Sequence, residues 1–134
     1  DNFKDLTAQQ LNKIKVAIRS HSFSANIVAD NIEAQIVQDA DRLDSIGAIG
    51  IARLFYTSGR FGSALYCEQE HELDDKNYAI DHFYKKLFNL PKLMNTSYAK
   101  KISLERLKFI EEYLKQFRLE ANLTEDRCSN VKSE

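Results

Sequence analysis

Residues 39–44 hold three aspartates and an arginine, and the chain then runs straight into the nearly uncharged, glycine-punctuated stretch Ile46-Gly47-Ala48-Ile49-Gly50-Ile51. Carboxylates beside apolar sequence are costly to bury unless cations or hydrogen bonds satisfy them. A chain with this junction must either turn its acids to water or give them partners. A solvated helix face meets that requirement, and so does a chemical site. Upstream of the junction the pattern is helical. Ile32, Ile36, Ala40 and Leu43 form a stripe, and Asp30 with Glu33 reads as a capping box. At about 100° per residue, Asp39 falls at the edge of that stripe, Asp41 and Val37 fall toward the other side, and Asp44 falls between those two and the stripe. Gly47 and Gly50 each cost about 1 kcal/mol in a helix relative to alanine, so they belong where another backbone comes close. Residues 46–55 offer little polar face and are expected to be buried. Arg53 in their midst then needs a carboxylate or a phosphate.

The remaining segments read as helices too. Thr7 and Gln10 form a capping box for a helix carrying Leu11, Ile14 and Ile18, which should fail near Ser20. His21 follows at once, where it can cap the last carbonyls or serve a site. Residues 58–63 are a turn, and residues 64–75 are an aperiodic loop, either a lid, an insertion or a connector, with His71 expected to be exposed. Asp74 or Asp75 should cap a helix containing Tyr78, His82, Lys85 and Lys86. His82 and Lys86 share one face, either a solvated basic edge or a pair of cationic donors for an anion. Pro91 interrupts this pattern. Thr96 or Ser97 opens a long last helix with Ile102, Leu107, Phe109, Ile110, Leu114 and Phe117 on its apolar side. No period-two run competes, so the fold class is all-α.

A chain of 134 residues is most simply one domain. Its 19 basic and 20 acidic residues give no reason to expect nucleic acid or an anionic membrane as partner. Cys67 and Cys128 lie far apart and lack metal-ligand spacing, and no disulfide framework is expected, which points to a reducing, cytoplasmic setting. The longest apolar run, residues 46–55, is too short to span a bilayer, and no signal peptide is visible. Neither a phosphate-cradling glycine loop nor a nucleophile elbow occurs.

Three segments together carry a resemblance: HSFSA from His21, IVQDADRLDSIGAIGIAR from Ile36, and LDDKNYAIDHFYKKLFNLPKLMNT from Leu73. In that order, over about residues 7 to 120, the chain resembles bacterial HD-domain metal-dependent phosphohydrolases, in particular the small soluble branch related to nucleoside triphosphate pyrophosphohydrolases. The resemblance implies an HD-domain-like helical bundle, a divalent metal (manganese or magnesium) and a small phosphorylated substrate, such as a nucleotide. The family's metal motif is a histidine, an adjacent His-Asp pair, and a distant aspartate in an Ala-Asp-x-x-Asp context. Asp41 matches that last aspartate. The helical wheel favours Asp39 as the more core-facing acid, and the motif decides for Asp41. No His-Asp dipeptide occurs in the 134 residues, and Asp81-His82 has the reverse order. The chain therefore resembles the C-terminal two-thirds of the family domain, without the N-terminal helices that carry the histidine and the His-Asp pair. Residues 1–120 form this helical part and residues 121–134 a polar, frayed tail.

What the resemblance implies for single residues follows from phosphoryl chemistry, which needs cations facing the phosphate and a positioned proton donor. Arg53, His82 and Lys86 are the expected phosphate-binding cations and His21 the nearby donor or general acid. Asp39, Arg42 and Asp44 are expected to orient the groups around Asp41. On its own the chain should bind metal weakly, lack activity, and expose an apolar face inviting self-association or a separate N-terminal piece. The alternative is a non-catalytic helical binding or scaffold module that lacks the metal-binding half.

Overall fold

The computed structural model describes residues 5–22, 27–69 and 71–123. They form five α-helices, α1 (Ala8–Ser20), α2 (Ile32–Asp44), α3 (Gly47–Phe61), α4 (Ala79–Lys85) and α5 (Ser97–Glu120), and a 3-10 helix (Leu87–Leu93) between α4 and α5. No strand occurs among the described residues; one isolated backbone bridge joins Ala64 to Tyr78. Phe23 and Ser24 of the first motif, and the tail residues 124–134 with Cys128, lie outside the described residues.

Local chemistry sets the helix starts. Thr7 Oγ1 accepts from Gln10 N at 3.2 Å while Thr7 N donates to Gln10 Oε1 at 2.8 Å, the reciprocal bonds of a capping box. α2 opens one residue later than its Asp30–Glu33 spacing suggests. Asn31 is the cap and accepts from Ala34 N at 2.9 Å, and Asp30 instead holds the Asn31 amide at 3.0 Å. The start of α4 also moves. Asp74 is used in the preceding turn, accepting from Lys76 N at 3.1 Å and Asn77 Nδ2 at 2.6 Å, so Tyr78 becomes the cap residue and Lys86 closes the helix. Thr96 Oγ1 caps α5 through Ala99 N at 3.2 Å.

The α2–α3 junction is a two-residue break at Ser45 and Ile46. Gly47 enters α3 with φ of 76°, a left-handed setting that favours glycine. A methyl group at Gly50 would stand 2.3 Å from the Ser45 carbonyl oxygen, so the second glycine is where the backbone comes close.

The main core lies where α3, α4, the 3-10 helix and α5 meet, around the fully enclosed Phe83, Ile46, Leu90 and Ile110. The Phe55 ring sits 6.1 to 6.3 Å from those of Phe83, Tyr113 and Phe117. A second, thinner cluster joins α1 to α2 through Ala17, Ala29 and Ala34. Two burial expectations are corrected here. Ile32, Ile36 and Ala40 of the α2 stripe face outward, and the inner side of α2 is Ala34, Gln38 and Asp39. The stripe loses because α1 approaches α2 through small side chains, and the polar pair finds its hydrogen-bond partners inside. In α3, Ala48 and Ile49 are exposed, because the core takes up one side of that helix only. No helix among the described residues is long and apolar enough to cross a membrane.

Candidate functional site

The acidic stretch divides between the two sides of α2. Asp39 is buried, 3% exposed, and accepts four hydrogen bonds at the start of α5: from Asn95 N at 2.8 Å, Asn95 Nδ2 at 3.0 Å, Thr96 N at 2.8 Å and Thr96 Oγ1 at 2.8 Å. Its carboxylate thus satisfies backbone donors at a helix N-terminus, where the helix dipole also favours negative charge. Gln38 beside it donates to Ser20 O at 2.7 Å and Ile27 O at 3.2 Å, and accepts from Asn95 Nδ2 at 2.9 Å. Arg42 Nη1 donates to the Leu93 carbonyl and lies 3.9 Å from Asp39. Burial pulls the Arg42 guanidinium below its ordinary value, against the opposing pull of Asp39 and Asp41. Arg42 Nε is enclosed and has no hydrogen-bond partner among the described residues. The sequence motifs do not single out Gln38, Asn95 and Thr96 as site-shaping residues. A carboxamide and a carboxylate adjacent on the inner face of a helix were the available signal.

Asp41 is exposed and lines a hollow of about 800 Å³ between α1 and α2, together with His21. The rest of its wall is mostly apolar, with Leu6, Ile14, Ile18 and Val37. His21 Nδ1 lies 2.7 Å from the Ile18 carbonyl, so Nδ1 carries the hydrogen and Nε2 is the ring atom able to exchange a proton. His21 therefore caps α1 and also stands in the hollow with Asp41. Glu33 lines the same hollow but is paired with Lys13 at 2.5 Å, and His21 and Asp41 alone fall short of what a hard divalent cation takes. Among the described residues no group of three or more His, Cys, Asp or Glu side chains is arranged to hold a metal. The described residues do not by themselves fit such an ion.

Arg53, His82 and Lys86 come together elsewhere. All three line a cleft of about 560 Å³ beside α3 and α4, whose wall also holds Lys76, Asp75 and the apolar Leu54, Phe61 and Leu87. His21 and Asp41 do not line this cleft. Arg53 forms an ion pair with Asp44, both side chains more than half exposed, so the partner that the sequence required is a carboxylate. His82 is half-buried, and burial pushes its imidazole below its ordinary value, partly offset by Asp75, whose Oδ2 lies 3.2 Å from Nδ1. Asp75 is held below the usual carboxylate range, first by its hydrogen bond from Lys85 at 2.8 Å.

The loop before α4 is tied down from both directions. Asp81, buried on α4, accepts from Asp74 N at 2.7 Å and binds His71 Nε2 at 2.6 Å. The His71 ring packs edge-on against Tyr78 at 4.7 Å. His71 is therefore part of the structure rather than an exposed loop residue, because Asp81, turned inward, needs a donor.

No family model matches the chain. The uncharacterised protein YpgQ of Bacillus subtilis (strain 168) is 43% identical to it over 86 residues, which is 64% of this chain and 38% of that protein. A crystal structure of a Lactobacillus plantarum protein superposes with a TM-score of 0.74 at 40% identity, covering 90% of this chain and 65% of that one. YpgQ in complex with ADP superposes at 0.71 and 37% identity, over 87% of this chain and 57% of that one. An HD-superfamily hydrolase of Bacillus thuringiensis superposes at 0.71 and 35% identity, over 90% and 57%. The chain thus spans less than two-thirds of the length of each of these relatives. What it shares with them is an all-α, HD-superfamily-like helical fold.

Proposed function

We propose that this chain is the C-terminal helical part of a metal-dependent phosphohydrolase that acts on a nucleotide or similar small phosphate ester in the cytoplasm. One observation carries the reading: Arg53, His82 and Lys86, spread over 34 positions of sequence, line a single cleft. Three cationic or protonatable donors around one hollow are suited to phosphoryl oxygens. The ADP bound by the YpgQ relative supports the substrate class. Asp41 is one carboxylate offered to a manganese or magnesium ion, and further ligands come from chain that docks on the apolar α1–α2 hollow. Exposed Ile14, Ile18 and Val37 lining that hollow support the docking.

Calorimetric titration of ADP and pyrophosphate into the chain tests the cleft. Arg53→Gln and Lys86→Gln should each weaken binding about tenfold, in line with the loss of one charged hydrogen bond. Unchanged affinity in both variants would refute the phosphate site. In the whole protein, Asp41→Asn should abolish turnover with manganese while leaving the helical circular dichroism signal intact. The lack of a three-donor metal group among the described residues favours a second reading, a helical module that binds phosphorylated ligands without turnover. Ligand binding by the whole protein with no hydrolysis in either metal would select it.

A further inference from the structure

Asp75 is the one carboxylate lining the α3–α4 cleft among the described residues, and it is divided between two partners, Lys85 and His82. Its Oδ1 accepts from Lys85 Nζ at 2.8 Å, and its Oδ2 lies 3.2 Å from His82 Nδ1. Lys85 does not line the cleft, whereas His82, Lys86, Lys76 and Arg53 do. A carboxylate set among cations occupies the electrostatic well that a phosphoryl oxygen would use.

We propose that Asp75 is an internal anion that holds the His82 side of the cleft and is exchanged for phosphate oxygens when a phosphorylated ligand binds. The proposal rests on reading the cleft as a phosphate site. Two features make the exchange favourable. Lys85 stays on the other carboxylate oxygen, so releasing His82 does not strand Asp75 without a partner. His82 is half-buried beside Lys85 and Lys86, and burial first and then these lysines disfavour its protonated form, so an anion beside the ring is needed to offset them. Asp75 supplies that anion in the empty cleft. Lys85 also holds Asp75 below the usual carboxylate range, so Asp75 remains an anion at neutral pH.

The experiment is pyrophosphate titration of the full chain, wild type against Asp75→Asn, with the His82 ring followed by NMR. Asp75→Asn should bind pyrophosphate about fivefold tighter, the scale expected from removing one partly exposed like charge. In the unliganded variant the His82 titration should move to lower pH, and Asp75→Asn with His82→Gln should lose the gain. If wild type binds through His82 but Asp75→Asn binds equally or more weakly, Asp75 only positions His82, and the proposal is wrong while the phosphate site stands. If neither form binds pyrophosphate, the phosphate site is refuted and the proposal falls with it. Should Asp75→Asn not fold, Asp75→Ser reports the same comparison.

Discussion

Where α3, α4 and α5 meet, Phe83, Ile110 and Leu90 are fully enclosed and the rings of Phe55, Phe83, Tyr113 and Phe117 cluster together. Where α1 meets α2, the enclosed apolar residues are three alanines, while Ile14, Ile18, Ile32 and Ile36 face outward. Large side chains hold the first region by area removed from water. Polar bonds hold α2 here: Gln38 ties it to Ser20 of α1 and to Ile27, and Asp39 ties it to Asn95 and Thr96 at the start of α5. Abundant aliphatic residues on a helix therefore do not mean that the helix is fastened by them. On α1 and α2 they lie at the surface, and of these four isoleucines only Ile14 and Ile18 line the hollow that holds Asp41.

The sharpest way to break this contrast is to remove one anchor from each region. Phe83→Ala should cost about 4 kcal/mol through the cavity it leaves. Asp39→Ala should cost about 3 kcal/mol, because it strands the buried donors of Asn95 and Thr96. Urea unfolding followed by circular dichroism reads both, since the chain has no tryptophan. A loss below about 1 kcal/mol for Asp39→Ala would mean that α2 is fastened to the start of α5 some other way. Gly50→Ala is expected next, at about 2 kcal/mol, from the collision with the Ser45 carbonyl. Ile18→Ser and Ile36→Ser should each change unfolding by less than about 0.5 kcal/mol and reduce any self-association seen by sedimentation. Losses approaching those of Phe83→Ala would show that this face is covered.

Acid separates the regions in a further, smaller way. His82 titrates below its ordinary value of 6.5, so between its folded and unfolded titrations the unfolded chain binds more protons, and stability falls as the pH drops through that window. Asp75, held below its ordinary 3.8, contributes stability above that pH and loses it as acid protonates the folded carboxylate. Two descending steps are expected in thermal midpoint against pH, with His82→Gln removing only the upper one. A midpoint that rises between pH 7 and pH 5 would contradict the burial of His82.

Features fixed by near neighbours were legible in the sequence. The Thr7–Gln10 box, the Thr96 cap and the end of α1 at Ser20 depend on residues within one turn. The capping of α2 slipped by one residue because Asp30 and Asn31 are both competent caps and only backbone geometry chooses between them. The outward setting of Ile32 and Ile36 was not legible, since periodicity finds an apolar stripe and says nothing of what lies opposite it. Nor was the Asp39 network, whose partners lie 56 and 57 residues away. Arg53, His82 and Lys86 were nominated by residue type and motif, and the fold places them in one cleft; Asp75, their carboxylate neighbour, was read only as a helix cap.

The Asp39 bonds also bear on the order in which the chain assembles. Closing a loop of this length costs entropy before any contact rewards it. The α5 N-terminus therefore cannot complete its hydrogen bonding until α2 has arrived from the other end of the chain. Asp39 then acts as a late latch. Replacing it should hasten unfolding and leave the refolding rate nearly unchanged, as stopped-flow circular dichroism would show. The same latch sets the rotation of α2 about its own axis, and that rotation turns Asp41, two residues on, to the outside.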